Sequence, residues 1–404
     1  MTEQEGTRSA PAAGREESAP DEASLATSER AASGSQAAPP GAAPRHLAVE
    51  FTGTGEEYFR IWIVNLLLTV VTLGIYSAWA KVQRLQYFYR NTRLDGDVFN
   101  YHGRPGAILK GRVVAFVLIY IYNFAAESSI IAGVLAAAVL AGAMPWLLAQ
   151  AQRFRLHNTS YRGLRFRFLA STRESYAVFG VPLVVVFALL AVLSYLNHES
   201  RNGAEPGAGI IVLAVGCAVL LALWPYQHFR FKRYQHAHCA LGNTSSTFAG
   251  RASRFYAAYA IALLLLFVGV VVGIFFIAGF SGRSGLLATV GFVYIYASLL
   301  AFVQIVAARV QNHVWNRTRL GPIGFASAVK PHRLVWIGLS NIVLTVLTVG
   351  LFTPFAAVRT ARYKLEAVTV IAADDLTNFV GAASAEVAAI GEGAADLLDV
   401  DFAL

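Results

Sequence analysis

Long apolar runs alternate along the chain with short polar stretches rich in arginine and aromatic residues. Three pairs of runs stand out: 113–126 with 130–149, 176–196 with 209–226, and 255–280 with 285–308. Short polar breaks separate the members of each pair, at Glu127, at Arg201 with Glu205, and at Arg283. A helix crosses a bilayer with about 20 mainly apolar residues, so the pattern predicts three transmembrane hairpins. Two further apolar helices lie outside these pairs, at Ile61–Tyr76 and Ile337–Phe352. In the first, Asn65, Thr69 and Thr72 fall at i, i+4 and i+7 and share one face. In the second, at an offset of 276 residues, Asn341, Thr345 and Thr348 repeat the pattern, and Gly74 and Tyr87 recur as Gly350 and Tyr363. Residues 61–76 reach only about 24 Å as helix, against a hydrocarbon core of about 30 Å. Re-entrant helices that turn back at Gly74 and Gly350 are expected, with full spans as the alternative.

A shorter pattern recurs five times. Stretches centred on Phe51, Phe99, Phe166, Phe248 and Phe325 each read as a strand, a turn and the start of an apolar helix. An Asn/Thr element precedes four of them: Asn91-Thr92, Asn158-Thr159, Asn243-Thr244, and Asn316 with Thr318. The expected fold is an all-α polytopic membrane protein. It has three transmembrane hairpins, two re-entrant or spanning helices, and short cytoplasmic β-strands in a fivefold strand-turn-helix repeat that pair with one another.

Composition agrees with a membrane protein: 56% of the residues are hydrophobic and 14% charged, against about 25% charged in soluble domains. Charge placement says more than the total. The loops 81–112, 153–173, 229–254 and 309–333 hold 23 Lys/Arg, and the hairpin tips 127–129, 197–207 and 281–284 hold two. Positive residues stay in the cytoplasm, which places the repeats and both termini there. Residues 1–47 are Ala-, Ser-, Pro- and Glu-rich and are expected to be a disordered acidic tail without a signal-peptide core. Residues 48–370 form the membrane domain, and 371–404 an acidic cytoplasmic tail expected to dock on the basic face.

The stretch from Asn65 to Tyr101, NLLLTVVTLGIYSAWAKVQRLQYFYRNTRLDGDVFNY, resembles the hallmark of the YjgN-like family of bacterial inner-membrane proteins. NTSYRGLRFRF from Asn158 and IGEGAADLLDVDFAL from Ile390 are similar to that family as well, and the likeness covers residues 50–404. Ser77-Ala78 departs from the Ser-Pro common there, and Pro354 keeps proline at the equivalent place in the second copy. The resemblance implies an integral inner-membrane protein of unestablished activity, and it carries over no catalytic residues.

Candidate chemistry is sparse. Glu127 reads as a wet hairpin tip, and no Asp or Glu occurs from 206 to 365, which speaks against a proton relay. Arg153/His157, Lys232/His236 and Arg309/His313 each place a cation and a histidine on one helix face. With Lys81 and Arg84 they read as contacts to anionic lipid or phosphate, ahead of a metal cluster, which lacks carboxylate and thiolate ligands. Aromatics interleaved with arginine after apolar spans read as an interfacial belt, and no nucleic-acid partner is expected. Cys217 and Cys239 lie in dissimilar settings and are not expected to pair. No enzyme motif or cofactor site is found. The expected role is a scaffold or regulator whose basic cytoplasmic face binds anionic phospholipids or a protein. The alternative is a small-solute transporter or channel using Asn65, Thr69, Thr72, Asn341, Thr345 and Thr348 as polar membrane faces.

Overall fold

The computed structural model describes residues 44–201, 207–280, 284–372, 376–377, 379–381 and 383–385, with no side-chain detail at 197–201 and 207–208. Residues 1–43 of the expected N-terminal tail and the acidic end of the C-terminal tail lie outside the described residues, while residues 45–47, expected in the tail, open β1.

The repeating unit is strand–helix–helix–strand. The first is β1 (Arg45–Phe51), α1 (Gly55–Val71), α2 (Ser77–Arg90) and β2 (Thr92–Leu94). The second is β3 (Asp97–Tyr101), α3 (Pro105–Ser128), α4 (Ile130–His157) and β4 (Thr159–Tyr161). The third is β5 (Leu164–Phe168), α5 (Thr172–Arg201), α6 (Gly207–Ala237) and β6 (Cys239–Leu241). The fourth is β7 (Thr244–Phe248), α7 (Ala252–Phe280), α8 (Gly285–Trp315) and β8 (Thr318–Leu320). The fifth is β9 (Ile323–Ser327), α9 (Pro331–Leu347), α10 (Thr353–Glu366) and β10 (Val368–Ala372).

The ten strands close into one antiparallel barrel, in the order β1-β10-β9-β8-β7-β6-β5-β4-β3-β2. This corrects the all-α expectation. The Phe-centred segments do lie on β1, β3, β5, β7 and β9, but none of these pairs with another of them; each is flanked by even-numbered strands. Isolated short strands are marginal, and closure removes every free edge.

Register also shifts the equivalences. Phe51, Tyr101, Phe168, Phe248 and Ser327 stand opposite the first residues of the even strands, Thr92, Thr159, Cys239, Thr318 and Val368. Phe99, Phe166 and Phe325 are therefore two residues off the position of Phe51. Gly53, Gly103 and Gly250 follow at plus two, and a side chain there would strike the ring of Phe51, Tyr101 or Phe248. Beyond each odd strand one further backbone bond recurs. The amides of Thr52, His102, Leu169, Ala249 and Ala328 donate to the carbonyls of Asn91, Asn158, His238, Arg317 and Ala367 at 2.7–3.0 Å. His238-Cys239 thus replaces Asn243-Thr244 as the third junction, and Asn243 lies in the β6–β7 turn.

Because odd strands lead into helices and even strands return from them, all ten helices leave from one rim. The other rim carries four two-residue turns. Asp95-Gly96 and Arg162-Gly163 have positive φ at both residues, as a type I′ turn needs. In the other two, Gly242 and Gly321 supply a positive φ at the first central residue only. Helices pack on their neighbours in chain order, and α10 returns to α1. The six helices α3 to α8 are long and apolar enough to cross a membrane. α1–α2 and α9–α10 are shorter hairpins, and the elements after β10 at Leu376, Val380 and Ala383 pack into the barrel core at the turn rim.

Candidate functional site

Inside the barrel, side chains of the even strands form layers of five. Thr92, Thr159, Cys239, Thr318 and Val368 make the layer nearest the helices, and Leu94, Tyr161, Leu241, Leu320 and Val370 the next. Small hydroxyls at the first layer follow from the helix-to-strand junction. Thr92, Thr159 and Thr318 each donate to a carbonyl four residues back, of Phe88, Arg155 and Val314, at 2.8–2.9 Å. Cys239 lacks this bond, and Ser246 replaces it: its Oγ accepts from Cys239 N at 3.0 Å and donates to His236 O at 2.7 Å.

The layers do not fill the barrel. They surround a cavity of about 550 Å³, within the range that holds a single small ligand. Leu376, Phe379 and Val380 line its end at the turn rim. Its other end is lined by the last turns of the returning helices. Tyr89, Leu156, His236, Trp315 and Leu365 occupy one equivalent position in the five units. The charged, amide and imidazole groups lining that end among the described residues come from two units: Gln152 and Arg155 on α4, and Lys232, Gln235 and His236 on α6.

Lys232 Nζ donates to Gln235 Oε1 at 3.2 Å. His236 Nδ1 lies 3.3 Å from Thr318 Oγ1, whose proton is already given to Val314 O. The imidazole must therefore donate at Nδ1. Trp315 meets the His236 ring edge-on at 5.5 Å. Arg155, from the neighbouring unit, lines the same end of the cavity as Lys232 and His236. No Asp or Glu lines the cavity among the described residues. Burial pushes the Cys239 thiol up to about 11, against the pull of Arg155, so it stays protonated at neutral pH. Burial likewise pushes the Tyr161 hydroxyl up to about 12; it donates to Leu94 O at 2.9 Å.

The structure separates the paired cations read from sequence. Lys232 and His236 enter the cavity. Arg153 instead donates to Ala170 O at 2.8 Å, tying α4 to the β5–α5 connection. His157 lies 3.3 Å from Arg165, and His313 accepts from the Arg251 amide at 3.1 Å. Lys81, Arg84 and Arg309 are exposed, and Arg84 lies over the Phe88 ring. The histidines do not converge, and no group of three His, Cys, Asp or Glu among the described residues could hold a metal ion. Arg155 was missed because its partner histidine offset led to Arg153 instead. Its signal is its place four residues before Thr159.

The polar hairpin residues build turns and helix contacts. Thr72 Oγ1 donates to Leu68 O at 2.7 Å and accepts from Tyr76 N at 2.9 Å. Thr348 makes the same two bonds to Leu344 and Phe352. Thr69 donates to Asn65 O, and the Thr69 and Thr345 carbonyls accept from Gly74 and Gly350 at 2.8 and 2.7 Å. Asn341 is buried, bonding Ala356 O and Thr360, with Arg359 on its oxygen. Asn65 is buried too, and its Oδ1 has no partner among the described residues. Neither asparagine lines the barrel cavity.

The family described as a bacterial protein of unknown function, DUF898, matches residues 46–397. The chain belongs to this family. Among curated relatives of this DUF898 protein, inner membrane protein YjgN of Escherichia coli K12 is 33% identical over 181 residues, 44% of each chain. Inner membrane protein YjgN of Escherichia coli O157:H7 is 32% identical over the same length and shares. That of Salmonella typhimurium LT2 is 32% identical over 154 residues, 36% of this chain and 38% of its own. The chain thus spans less than half the length of the curated relatives it matches. No solved structure matches it. The likeness to the YjgN-like family drawn from the Asn65–Tyr101 stretch holds, and with six membrane-capable helices this is a multi-pass membrane protein.

Proposed function

We propose that this DUF898 protein sits in the bacterial inner membrane with its barrel and both termini in the cytoplasm. There it acts as a scaffold or regulator that engages anionic phospholipid where barrel meets helices. One observation carries the reading. Most of the 23 Lys/Arg of the four basic loops fall on the barrel and the helix turns beside it, with Lys81, Arg84 and Arg112 farther out along α2 and α3. Few have acid partners: the described ion pairs in these loops use Arg162. Lys81, Arg84 and Arg309 are exposed with no acid partner among the described residues. Each such cation beside an anionic leaflet is worth about 1 kcal/mol. The relatives' names support the membrane assignment, and the positive-inside bias supports the orientation.

The transporter reading has less behind it. Asn65 and Asn341 are taken up between helices rather than along a polar path, and α3 has no buried residue. A protein partner at the basic face is compatible with the scaffold reading.

The test is native mass spectrometry of the chain purified in nanodiscs of phosphatidylethanolamine and phosphatidylglycerol. Phosphatidylglycerol is expected to be enriched among retained lipids, less so at high salt and in a K81Q/R84Q/R309Q variant. Retained lipid matching the bulk ratio in the wild type would overturn the reading.

A further inference from the structure

The barrel interior is separate from the outer girdle of cations, and its two ends differ. The end at the turn rim is lined by the apolar Leu376, Phe379 and Val380. The end at the helix rim holds Arg155 and Lys232 from two neighbouring units. The other three units present Tyr89, Trp315 and Leu365 to the same end. A fivefold architecture whose polar groups gather in one arc has a direction, which packing alone does not require.

The helix dipole is the ordinary reason for a cation near a helix C-terminus. It covers Arg155, which lies in the last turn of α4. It does not cover Lys232, more than a turn before the end of α6 at Ala237. Nor does it account for two cations from different helices lining the same end of one cavity. Like charges gathered without an acid are costly where desolvation reaches one of them: Lys232 is half-buried, while Arg155 is exposed. Water in the cavity would hydrate them without neutralising them. The threonine hydroxyl protons nearby are committed to backbone carbonyls. The charged donors at this end are the Arg155 guanidinium and the Lys232 ammonium, with neutral donors beside them on Gln152, Gln235, Tyr89 and Trp315.

We propose that the cavity binds one single-chain amphiphile with a carboxylate head. The head lies between Arg155 and Lys232, and the chain runs inward along Leu241, Leu320 and Val370. Arg155 supplies the planar fork that a carboxylate accepts, and Lys232 supplies the point charge. Each methylene removed from water contributes about 0.8 kcal/mol, so the chain gives affinity and the head gives orientation. The cations lie at the rim from which every helix leaves, so the ligand enters from the membrane side. The protonated Cys239 thiol is a neutral wall of the site.

Native mass spectrometry of the full chain with added dodecanoate, dodecanol, dodecylamine or inorganic phosphate tests this. One equivalent of dodecanoate is expected to stay bound, at least tenfold more tightly than dodecanol, with dodecylamine and phosphate not retained. R155M/K232M is expected to bring dodecanoate down to the level of dodecanol. L320W is expected to abolish retention of both while leaving phosphatidylglycerol enrichment at the outer girdle unchanged, so this site and the girdle fail separately. Retention of phosphate alone would assign the cations to a free anion and overturn the proposal. Equal binding of dodecanoate and dodecanol to the wild type would overturn it as well, and that comparison stands even if a variant does not fold. Unchanged dodecanoate binding in a folded R155M/K232M, judged by its circular dichroism and melt, would also sink it.

Discussion

Leu73 and Val349, 276 residues apart, adopt the same left-handed backbone at the tips of their hairpins, with φ of 49° and 51°. That conformation costs a residue with a side chain about 1–2 kcal/mol. Each is followed by a glycine with φ near 90°, Gly74 at 92° and Gly350 at 90°. Each is also more than nine-tenths exposed, 94% and 92%. A large apolar side chain held out at a strained tip, twice over, suits insertion into lipid. The two hairpins leave and rejoin the same barrel rim as the three longer ones, and length is what favours re-entry: α1 and α9 have 17 residues each, against 24–31 in the six membrane-capable helices.

Cysteine labelling checks the re-entry. In a variant without Cys217 and Cys239, L73C and V349C are expected to resist an impermeant maleimide from either side. S129C, between α3 and α4, should label from the outer face. Labelling of L73C or V349C from the outer face would mean that these hairpins cross.

The tip threonines are testable separately. Thr72→Val or Thr348→Val removes the acceptor of the Tyr76 or Phe352 amide, at a cost of about 1–3 kcal/mol. Thr69→Val removes only a hydroxyl that back-bonds within its helix. Thermal melts in nanodiscs should place T72V and T348V well below T69V. A T72V melt equal to that of T69V would remove the threonine from the account of the turn.

Six long helices and the hairpin duplication were legible because apolar length and the Asn/Thr spacing are local signals. The barrel was not, because four of its five even strands are three residues long, too short to show alternation. TRL at 92 and CAL at 239 carry no strand pattern of their own, and only closure with distant partners stabilises them. β10, VTVIA, does alternate in burial, yet it follows a charged helix, and the domain boundary expected after residue 370 cuts through it. Phe99, Phe166 and Phe325 misled the register because each has an aromatic or serine two positions on, at Tyr101, Phe168 and Ser327. Lys232 and His236 were legible as a pair. Their meeting with Arg155 was not, since it depends on which helix faces close the barrel.

Alkaline pH offers a third test. The hydroxyls of Tyr161 and Tyr87 are pushed up to about 12, mainly by burial. A raised folded value keeps the proton on in the native state. The associated stability is full below the ordinary value near pH 10 and is lost as pH rises from about 10 toward 12. Tyr161→Phe should be less stable than wild type at neutral pH by about 0.5–1.5 kcal/mol, for the lost bond to Leu94 O. It should lose less on going to about pH 11. Parallel melting curves across that range would show that Tyr161 does not carry the alkaline loss.

Arg162 ties the turn rim together. Its guanidinium reaches Asp95 in the neighbouring turn at 3.1 Å, Asp97 at the start of β3 at 2.5 Å, and Thr377 beyond β10 at 3.4 Å. Its side chain is only 14% exposed, so the charge-assisted bonds are worth about 1.5–3 kcal/mol together. Arg162→Gln should lose most of this, and Arg162→Lys should recover little because an ammonium cannot fork between two carboxylates. Full recovery by lysine, measured in the same melts, would reduce the contact to simple charge.

The segment after β10 closes the barrel, and its contribution is separable from that of the strands. Leu376, Val380 and Ala383 are buried at 3%, 8% and 4% exposure and belong to the core cluster that also holds Val49 and Val370. Leu376 and Val380 also line the cavity. A side chain deleted there enlarges a space the barrel walls already fail to fill, so collapse cannot offset the loss. Leu376→Ala should therefore cost about 2–5 kcal/mol, and Ser384→Ala, at an exposed site of the same segment, less than about 0.5 kcal/mol. The damage should be confined to the barrel. Hydrogen exchange should quicken at β1, β9 and β10 while α7 and α8 keep their wild-type protection. Equal exchange in L376A and S384A would show that the segment lies against the barrel without holding it closed.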